Sequence, residues 1–384
     1  MSGGVVLGVV RQVHLWSGLV VGAFIALIGL SGAFLEFYPQ IDAASHPVLR
    51  SAESEHRLSP YEAFYVAVRR ARPDRPMGWR FEIPDRVGAI QARSLSAADI
   101  AGPQFAPVIL WLDPKSAQVL REDVWGQYPG TWIYDLHYHL LLGGTGALVV
   151  GVLGIVVLIM LGTGLLLWWP VSKAAWRTAF ALRGGHDPIR RLYDWHKLVG
   201  IVGVVFLAMI TATGAALDLP DQTGSMLGAI WGPGATSEPL HSVRDERMPR
   251  ISLDAAVAAG DSRFPRGTLK WIYTPENAQG VYVLKYRLPH EVAGRFPNST
   301  VWIDQYTGRV LGARDARYDP PAAAIVDWLF PLHTGEVMKL PGRILWVGFG
   351  FLPVILWVTG LWRWLLRRSR RSPRPAGRAS ALSS

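Results

Sequence analysis

Residues 136–172 read LHYHLLLGGTGALVVGVLGIVVLIMLGTGLLLWWPVS and contain no Asp, Glu, Lys or Arg. A helix of about 20 apolar residues crosses the roughly 30 Å of hydrocarbon in a bilayer, and this run is long enough. Three further runs, at 12–35, 198–217 and 344–362, also lack these four residue types. A buried helix of a soluble protein explains one such run poorly and four much worse. The chain of 384 residues is therefore predicted to be a membrane protein with four transmembrane helices.

The net charge of +10 is concentrated next to the predicted helices rather than spread along the chain. Seven arginines follow the last apolar run, between 363 and 378, and five Lys or Arg residues lie between 173 and 191. Such juxtamembrane clusters follow the positive-inside rule, which explains them better than nucleic-acid binding does. The chain has no Cys, which excludes disulfides, iron–sulfur clusters and Cys-ligated zinc.

These basic segments predict a topology with both termini in the cytoplasm and two domains outside, in the periplasm of a Gram-negative cell. We expect a membrane all-α core of four transmembrane helices carrying periplasmic α+β domains. The predicted segments are helix 1 at 11–38, a first outside domain at 39–133, helix 2 at 134–170, a cytoplasmic loop at 171–190, helix 3 at 191–219, a second outside domain at 220–326, helix 4 at 327–366 and a basic cytoplasmic tail at 367–384.

The two halves of the chain repeat. In helix 1 the spacing from His14 to Glu36 is 22, and in helix 3 the spacing from His196 to Asp218 is also 22. Helices 2 and 4 share Gly, Thr, Gly, Leu and Trp at offsets of 9, 26, 27, 28 and 31 from His137 and His333. This agreement without gaps predicts a two-fold internal repeat of the core.

The outside segments repeat more loosely. Helix candidates at 59–70 and 252–259 each precede a Trp-x-Asp motif, at 111–113 and 302–304. Alternating stretches at 280–287 and 299–303 are typical of half-buried strands, and a further strand is expected from 309. We therefore predict two small α+β domains, each with one helix on a short antiparallel sheet.

The repeat places one His near the start of every helix, and polar residues at membrane depth are functional candidates by default. His14 and His196 begin the outward helices, so they are expected near the cytoplasmic face. His137 and His333 begin the inward helices, so they are expected near the outer face. Two imidazoles on facing helices can bind one haem iron from opposite sides.

Other roles for these histidines compete with haem. A His at a helix end can face lipid headgroups, but four at equivalent positions are less simply explained that way. Zinc would need carboxylate or thiolate partners that the spacing does not supply. A proton relay usually includes membrane-depth Asp or Glu, which the four runs lack.

His139 is an alternative to His137, because it lies two residues further on and so points to a different face of a helix. The repeat selects His137, whose equivalent is His333. Gly18 and Gly200 follow His14 and His196 by one helical turn, where a missing side chain would leave room for a flat macrocycle or allow close helix packing.

The sequence resembles a known family, the PepSY-associated transmembrane proteins of the iron-regulated inner-membrane group. The resemblance extends from residue 11 to about 366, and 251–256 and 301–311 resemble a PepSY domain. The segments that carry it are RQVHLWSG at 11–18, LH at 136–137, DWHK at 194–197, LHTGE at 332–336 and LPGR at 340–343.

Some members of this family are similar to di-haem ferric-siderophore reductases of the ferrioxamine type. The resemblance implies two b-type haems, one on His14 and His196 and one on His137 and His333. It implies that electrons pass from an unknown cytoplasmic or membrane donor to a ferric siderophore, of hydroxamate type, in the periplasm. Aromatic residues before helix 2 would form an interfacial belt or contact this substrate: Trp125, Tyr128, Trp132 and Tyr134.

Two hypotheses from other classes stay open. PepSY domains also occur with peptidases, so the protein could regulate or sense a partner without catalysis. A two-fold repeat also occurs in transporters, but the runs contain few polar residues at mid-depth.

Overall fold

The computed structural model describes residues 3–50, 59–85, 88–100, 105–183, 187–232, 240–243 and 248–371. The helices are α1 Gly3–Leu35, α2 Tyr38–Ser45, α3 Pro47–Arg50, α4 Tyr61–Ala71, α5 Ala97–Ile100, α6 Pro129–His139, α7 Gly143–Trp168, α8 Lys173–Ala179, α9 Pro188–Asp218, α10 Pro220–Trp231, α11 Leu253–Arg263, α12 Pro321–His333 and α13 Lys339–Arg371. The strands are β1 Trp79–Glu82, β2 Ile90–Ser94, β3 Val108–Leu112, β4 Val119–Val124, β5 Thr268–Tyr273, β6 Val281–Arg287, β7 Ser299–Asp304 and β8 Val310–Arg314.

Within these described ranges, four helical segments are long and apolar enough to cross a membrane, which confirms the four predicted spans. Many of their apolar side chains face outward, including Val20, Leu166 and Val205, which are 59%, 64% and 70% exposed. An apolar surface of this extent is expensive in water and suits a lipid bilayer. The segments are Gly4–Leu35, Gly143–Trp168, Pro188–Asp218 and Glu336–Arg370.

The second and fourth spans begin later than the sequence indicated, because each is preceded by a separate short helix. Leu140 and Leu141 adopt positive φ between α6 and α7, and Gly335 and Lys339 do so between α12 and α13. His137 and His333 therefore lie near the ends of α6 and α12, not on the spanning helices. The run Leu-Leu-Leu at 140–142 carries no turn residue, so its pattern did not predict the break.

Close backbone approach explains why glycine follows each break. A Cβ on Gly146 would lie 1.5 Å from the carbonyl oxygen of His139, and one on Gly342 would lie 2.1 Å from that of Gly335. No side chain fits at these distances, so both turns require glycine at these positions.

The chain forms two compact units, and each of the four spanning helices contributes to both. The first unit contains Met1–Leu30, Ile155–Ala208 and Gly348–Ser384. Its helices pack through aromatic and glycine contacts: Phe206 stacks on Phe349 at 4.2 Å, and the Trp357 indole donates a hydrogen bond to the Leu19 carbonyl at 3.1 Å. The second unit contains Ser31–Gly154 and Met209–Val347.

The second unit is built on one antiparallel sheet of eight strands, in the order β4-β3-β2-β1-β5-β6-β7-β8. The strands predicted near 280–287, 299–303 and 309 are present as β6, β7 and β8. The two outside segments do not form two separate sheets as predicted, because β1 pairs with β5. Each segment supplies four strands, and the pairing covers the edge that each would otherwise leave open.

Helices α4 and α11 cover one face of this sheet, and alternate strand residues face them. The buried core on this face includes Phe64 and Val68 from α4, Leu253 and Val257 from α11, and the strand residues Trp79, Phe81, Ile90, Ile272, Tyr282 and Leu284. Alternation therefore places Arg80, Glu82, Arg93, Trp271 and Tyr273 on the opposite face.

The two helices also cap each other. The backbone N–H groups of Tyr61 and Glu62 donate to the Asp254 carboxylate at 2.7 and 3.1 Å. In return, the Leu253 N–H donates to the Glu62 carboxylate at 2.6 Å. Each acidic side chain thus satisfies free N–H groups at the start of the other helix, where the helix dipole also favours negative charge.

The predicted cytoplasmic loop contains α8, whose first turn is capped by the Ser172 hydroxyl, which accepts from the Ala175 N–H at 3.1 Å. Asp187 pairs with Arg370 at the end of α13 at 2.9 Å. Most of the predicted basic tail, residues 372–384, lies outside the described residues.

Candidate functional site: two histidine pairs

The structure brings the four histidines together as two pairs, each within one compact unit. In the first unit, His14 on α1 faces His196 on α9, with ring centres 6.3 Å apart and planes at 87°. In the second unit, His137 on α6 faces His333 on α12, with ring centres 6.2 Å apart and planes at 50°.

Each imidazole is held by a hydroxyl group on a spanning helix that does not carry that histidine. The Nδ1 atoms of the four rings lie 3.0 to 3.3 Å from a Ser or Thr oxygen. The couples are His14 with Thr163, His137 with Ser31, His196 with Thr359 and His333 with Thr213.

Through Nδ1, the rings of His14, His196 and His333 also reach a backbone carbonyl. The acceptors are the carbonyl oxygens of Met160 for His14 at 3.2 Å, Leu356 for His196 at 3.0 Å and Ile210 for His333 at 3.0 Å. A carbonyl can only accept, so Nδ1 carries the proton and Nε2 carries the lone pair. Metal-binding histidines are commonly oriented in this way, by a hydrogen bond from the other ring nitrogen.

A glycine next to each hydroxyl residue makes room for the ring. A Cβ on Gly32, Gly164 or Gly214 would lie 2.8, 2.9 or 2.8 Å from Cε1 of His137, His14 or His333, respectively. At Gly360 the same distance, to His196, is 3.6 Å, which is an ordinary contact. The dipeptides Ser31-Gly32, Thr163-Gly164, Thr213-Gly214 and Thr359-Gly360 therefore form a cradle for one imidazole each.

The sequence contains this signal, but its role was not predicted. A Ser-Gly or Thr-Gly dipeptide occurs once near the far end of every predicted helix, at the same offset in both halves. Ser and Thr in a membrane helix usually bond their own helix backbone, and Thr163 also does so, to the Met160 carbonyl at 2.8 Å. The pattern alone therefore did not indicate that these hydroxyls contact histidines.

Gly18 and Gly200, the predicted spaces for a macrocycle, show no close approach to a histidine. The nearest neighbours of a Cβ there are the Met160 sulfur at 3.8 Å and the Leu356 Cδ2 at 3.7 Å. Both distances are ordinary van der Waals contacts, so neither glycine is required by close helix packing, and the glycines that fit tightly against the rings are Gly32, Gly164 and Gly214.

His139 is separated from the pair that contains His137. Its ring lies 4.0 Å from that of Tyr138, and its Nδ1 lies 3.7 Å from the Asp135 carboxylate. Asp135 in turn accepts a hydrogen bond from the Trp125 indole at 2.8 Å. The geometry thus places His137, and not His139, opposite His333.

The spacing of both pairs suits two axial ligands of one iron. Imidazole nitrogen binds a metal at about 2.0 Å, so rings on opposite sides of one ion have centres about 6 Å apart. In the described residues, no group of three or more His, Cys, Asp or Glu side chains is placed to hold a metal ion. Two donors per site fit a metal whose remaining positions are filled by a macrocycle.

The aromatic residues before the second span differ in their surroundings. Trp125 and Tyr128 are buried beside the sheet, whereas Trp132 is 44% exposed, as expected for an interfacial belt. Tyr134, one helical turn before His137, lies 5.2 Å from the Trp125 ring. Of these four residues, Trp125 and Tyr128 therefore pack against the sheet, and Tyr134 contacts Trp125.

A sequence profile of the family described as the PepSY-associated TM region matches residues 11–367. The chain belongs to this PepSY-associated family. Comparison with curated protein sequences gives no match. All four paired histidines of this PepSY-associated protein, and the four cradles that hold them, lie within the matched region.

Proposed function

We propose that this PepSY-associated protein is a di-haem reductase of the bacterial inner membrane that reduces ferric siderophores in the periplasm and releases their iron. The observation that carries the proposal is the pair of facing imidazoles in each unit, with every Nδ1 atom anchored. Two b-type haems held by these histidines would supply one-electron transfer chemistry.

The residues of the chain would orient and tune these sites. His14 and His196 would hold one haem on the cytoplasmic side, and His137 and His333 would hold the other on the periplasmic side. The hydroxyl and carbonyl acceptors of Nδ1 fix which ring nitrogen faces the metal and raise its basicity. The histidine rings would need little rearrangement during electron transfer, because side chains and backbone already hold them in place.

The overall reaction balances as a transfer of one electron per iron. A reduced donor in the cytoplasm or the membrane loses the electron, and Fe(III) in the chelate becomes Fe(II). Hydroxamate oxygens bind the hard Fe(III) ion far more tightly than Fe(II), so reduction alone weakens the complex. The proposed direction of electron transfer, from the cytoplasm to the periplasm, rests on the basic segments, which favour cytoplasmic termini.

The test is the spectrum of the purified full-length protein. We expect dithionite-reduced minus oxidised spectra with sharp b-type bands and close to two haems per chain. His333→Ala should lose about half of the haem and the reduction of ferric chelates, whereas His139→Ala should keep both haems. A folded, fully helical but colourless protein would contradict the proposal and favour a regulatory or transport role.

A further inference from the structure

The face of the sheet opposite α4 and α11 carries an arginine cluster, which we define as Arg80, Arg93 and Arg295 around the single carboxylate of Glu82. Arg80 pairs with Glu82, and the Arg93 guanidinium lies 3.8 Å from the same carboxylate oxygen. Arg295 also acts electrostatically on Glu82. The Arg80 and Arg93 guanidinium groups thus lie within 4 Å of one carboxylate, and Arg295, which donates to the Tyr38 hydroxyl, adds a third positive charge near it.

The cluster is buried and incompletely bonded. Arg93 is 7% exposed. Among the described residues, the Nε–H groups of Arg80 and Arg93 have no hydrogen-bond partner. Burial and the charge of Arg80 lower the pKa of Arg93 below its ordinary value. Burial alone would raise the pKa of Glu82, but the three arginines together lower it, so Glu82 stays ionised. Buried N–H groups of charged side chains are costly to leave unpaired.

The geometry of the guanidinium groups is suited to a planar anion. The Arg93 guanidinium carbon lies over the Trp125 ring, 4.2 Å from its centre, and that of Arg80 lies over the Trp271 ring at 4.6 Å. These cation–π contacts do not use the Nε–H groups, which remain as donors. Guanidinium edges match a carboxylate through two parallel hydrogen bonds. The side chain of Glu82 remains 25% exposed although protein surrounds it, so solvent reaches the cluster.

Aromatic side chains connect the cluster to the two helices that carry the histidines of the second pair. Tyr134, one turn before His137 on α6, lies close enough to Arg93 and Arg295 to feel their charge. Phe330, one turn before His333 on α12, lies 4.3 Å from Phe296, which in turn lies 5.2 Å from Trp271. A group held by the cluster would thus connect, through these aromatic side chains, to the helical turn before each histidine.

We infer that the arginine cluster binds a carboxylate group, carried as a peripheral group by the ferric chelate that approaches the His137 and His333 pair. This use of the site rests on the proposed reductase function, whereas carboxylate binding itself does not. The same chemistry could come from a second source, a propionate of haem held by these two histidines.

The experiment titrates citrate, a tricarboxylate, into the full-length detergent-solubilised protein by calorimetry. We expect binding that Arg93→Gln and Arg80→Gln each weaken by about tenfold or more, the cost of one charge-assisted hydrogen bond. Arg70→Gln, an exposed arginine on α4, is the matched control and should bind as the unaltered protein does. Arg80 serves as the second position in case the Arg93 variant does not fold, which circular dichroism detects.

The source of the carboxylate is decided by the haem count of the same samples. If haem-containing protein does not bind citrate, but Arg93→Gln and Arg80→Gln lose about half of their haem, the carboxylate is a haem propionate. If neither citrate binding nor haem content differs between these variants and Arg70→Gln, the inference is overturned. A protein purified without haem would defeat the reductase proposal, while the citrate titration would still decide the carboxylate site.

Discussion

Each of the four histidine rings rests against a glycine, but the glycines do not have equal freedom to accept a side chain. We expect Gly32→Ala, Gly164→Ala and Gly214→Ala to push their rings aside, because the new Cβ would lie under 3.0 Å from Cε1. Such overpacking lowers the free energy of unfolding by about 1–3 kcal/mol. Haem per chain, measured from the reduced-minus-oxidised spectrum, should fall by about half in each variant.

Gly360→Ala is the matched control, because its Cβ would lie 3.6 Å from His196 and needs no displacement. It should keep nearly full haem content. Equal losses at Gly360 and Gly164 would show that the cradles do not position the rings.

The carboxylate of Asp327 on α12 pairs with Arg314 at 2.9 Å. Burial raises the pKa of Asp327 to about 6, although Arg314 opposes this. The folded state therefore binds the proton more tightly than the unfolded state, and stability is lost as pH rises from about 4 to about 6. Asp327→Asn removes this loss, which amounts to about 1–3 kcal/mol at neutral pH.

The measurement is the Tm from tryptophan fluorescence at pH 4.5 and pH 7. The gain in Tm of Asp327→Asn over the unaltered protein should be larger at pH 7. Asp221→Asn, at an exposed position on α10, should show no such difference. A gain that is equal at both pH values would contradict the raised pKa.

Among the elements, α4 and α11 depend on each other at their first turns. Asp254→Ala leaves the N–H groups of Tyr61 and Glu62 without their acceptor, and loss of such a cap costs about 0.5–2 kcal/mol. We expect a lower Tm and earlier loss of sheet signal in denaturant. Glu276→Ala, an exposed carboxylate outside both helices, should leave the Tm unchanged. If the two substitutions have the same effect, the mutual capping does not stabilise the fold.

Local patterns predicted the elements far better than their long-range partners. The strands β6 to β8 followed from alternation, and the spans followed from runs without charge. The pairing of β1 with β5 could not be predicted, because the pattern of one strand does not state which other edge will cover it. Similarly, the repeat selected His14, His137, His196 and His333, but nothing local showed that Ser31 and three threonines would hold their rings.

For the whole molecule, the proposed topology can be tested with cysteines, since the natural chain has none. Lys115 lies in the exposed turn between β3 and β4, and Lys173 is exposed at the start of α8. In intact spheroplasts, an impermeant maleimide should label Lys115→Cys and not Lys173→Cys. Detergent should make both reactive. Labelling of Lys173→Cys alone in intact spheroplasts would reverse the proposed orientation.

The pairing of β1 with β5 has a consequence for biosynthesis. The Trp79 N–H donates to the Thr274 hydroxyl, 195 residues further along the chain. With the proposed topology, the ribosome must deliver two membrane helices and a cytoplasmic loop before β1 can pair with β5. During that interval, β1 is an edge strand outside the membrane, with one side unpaired. The first four strands are then accessible to proteases and can aggregate with other nascent chains. Translation speed between residues 95 and 268 should therefore govern how much of the protein matures.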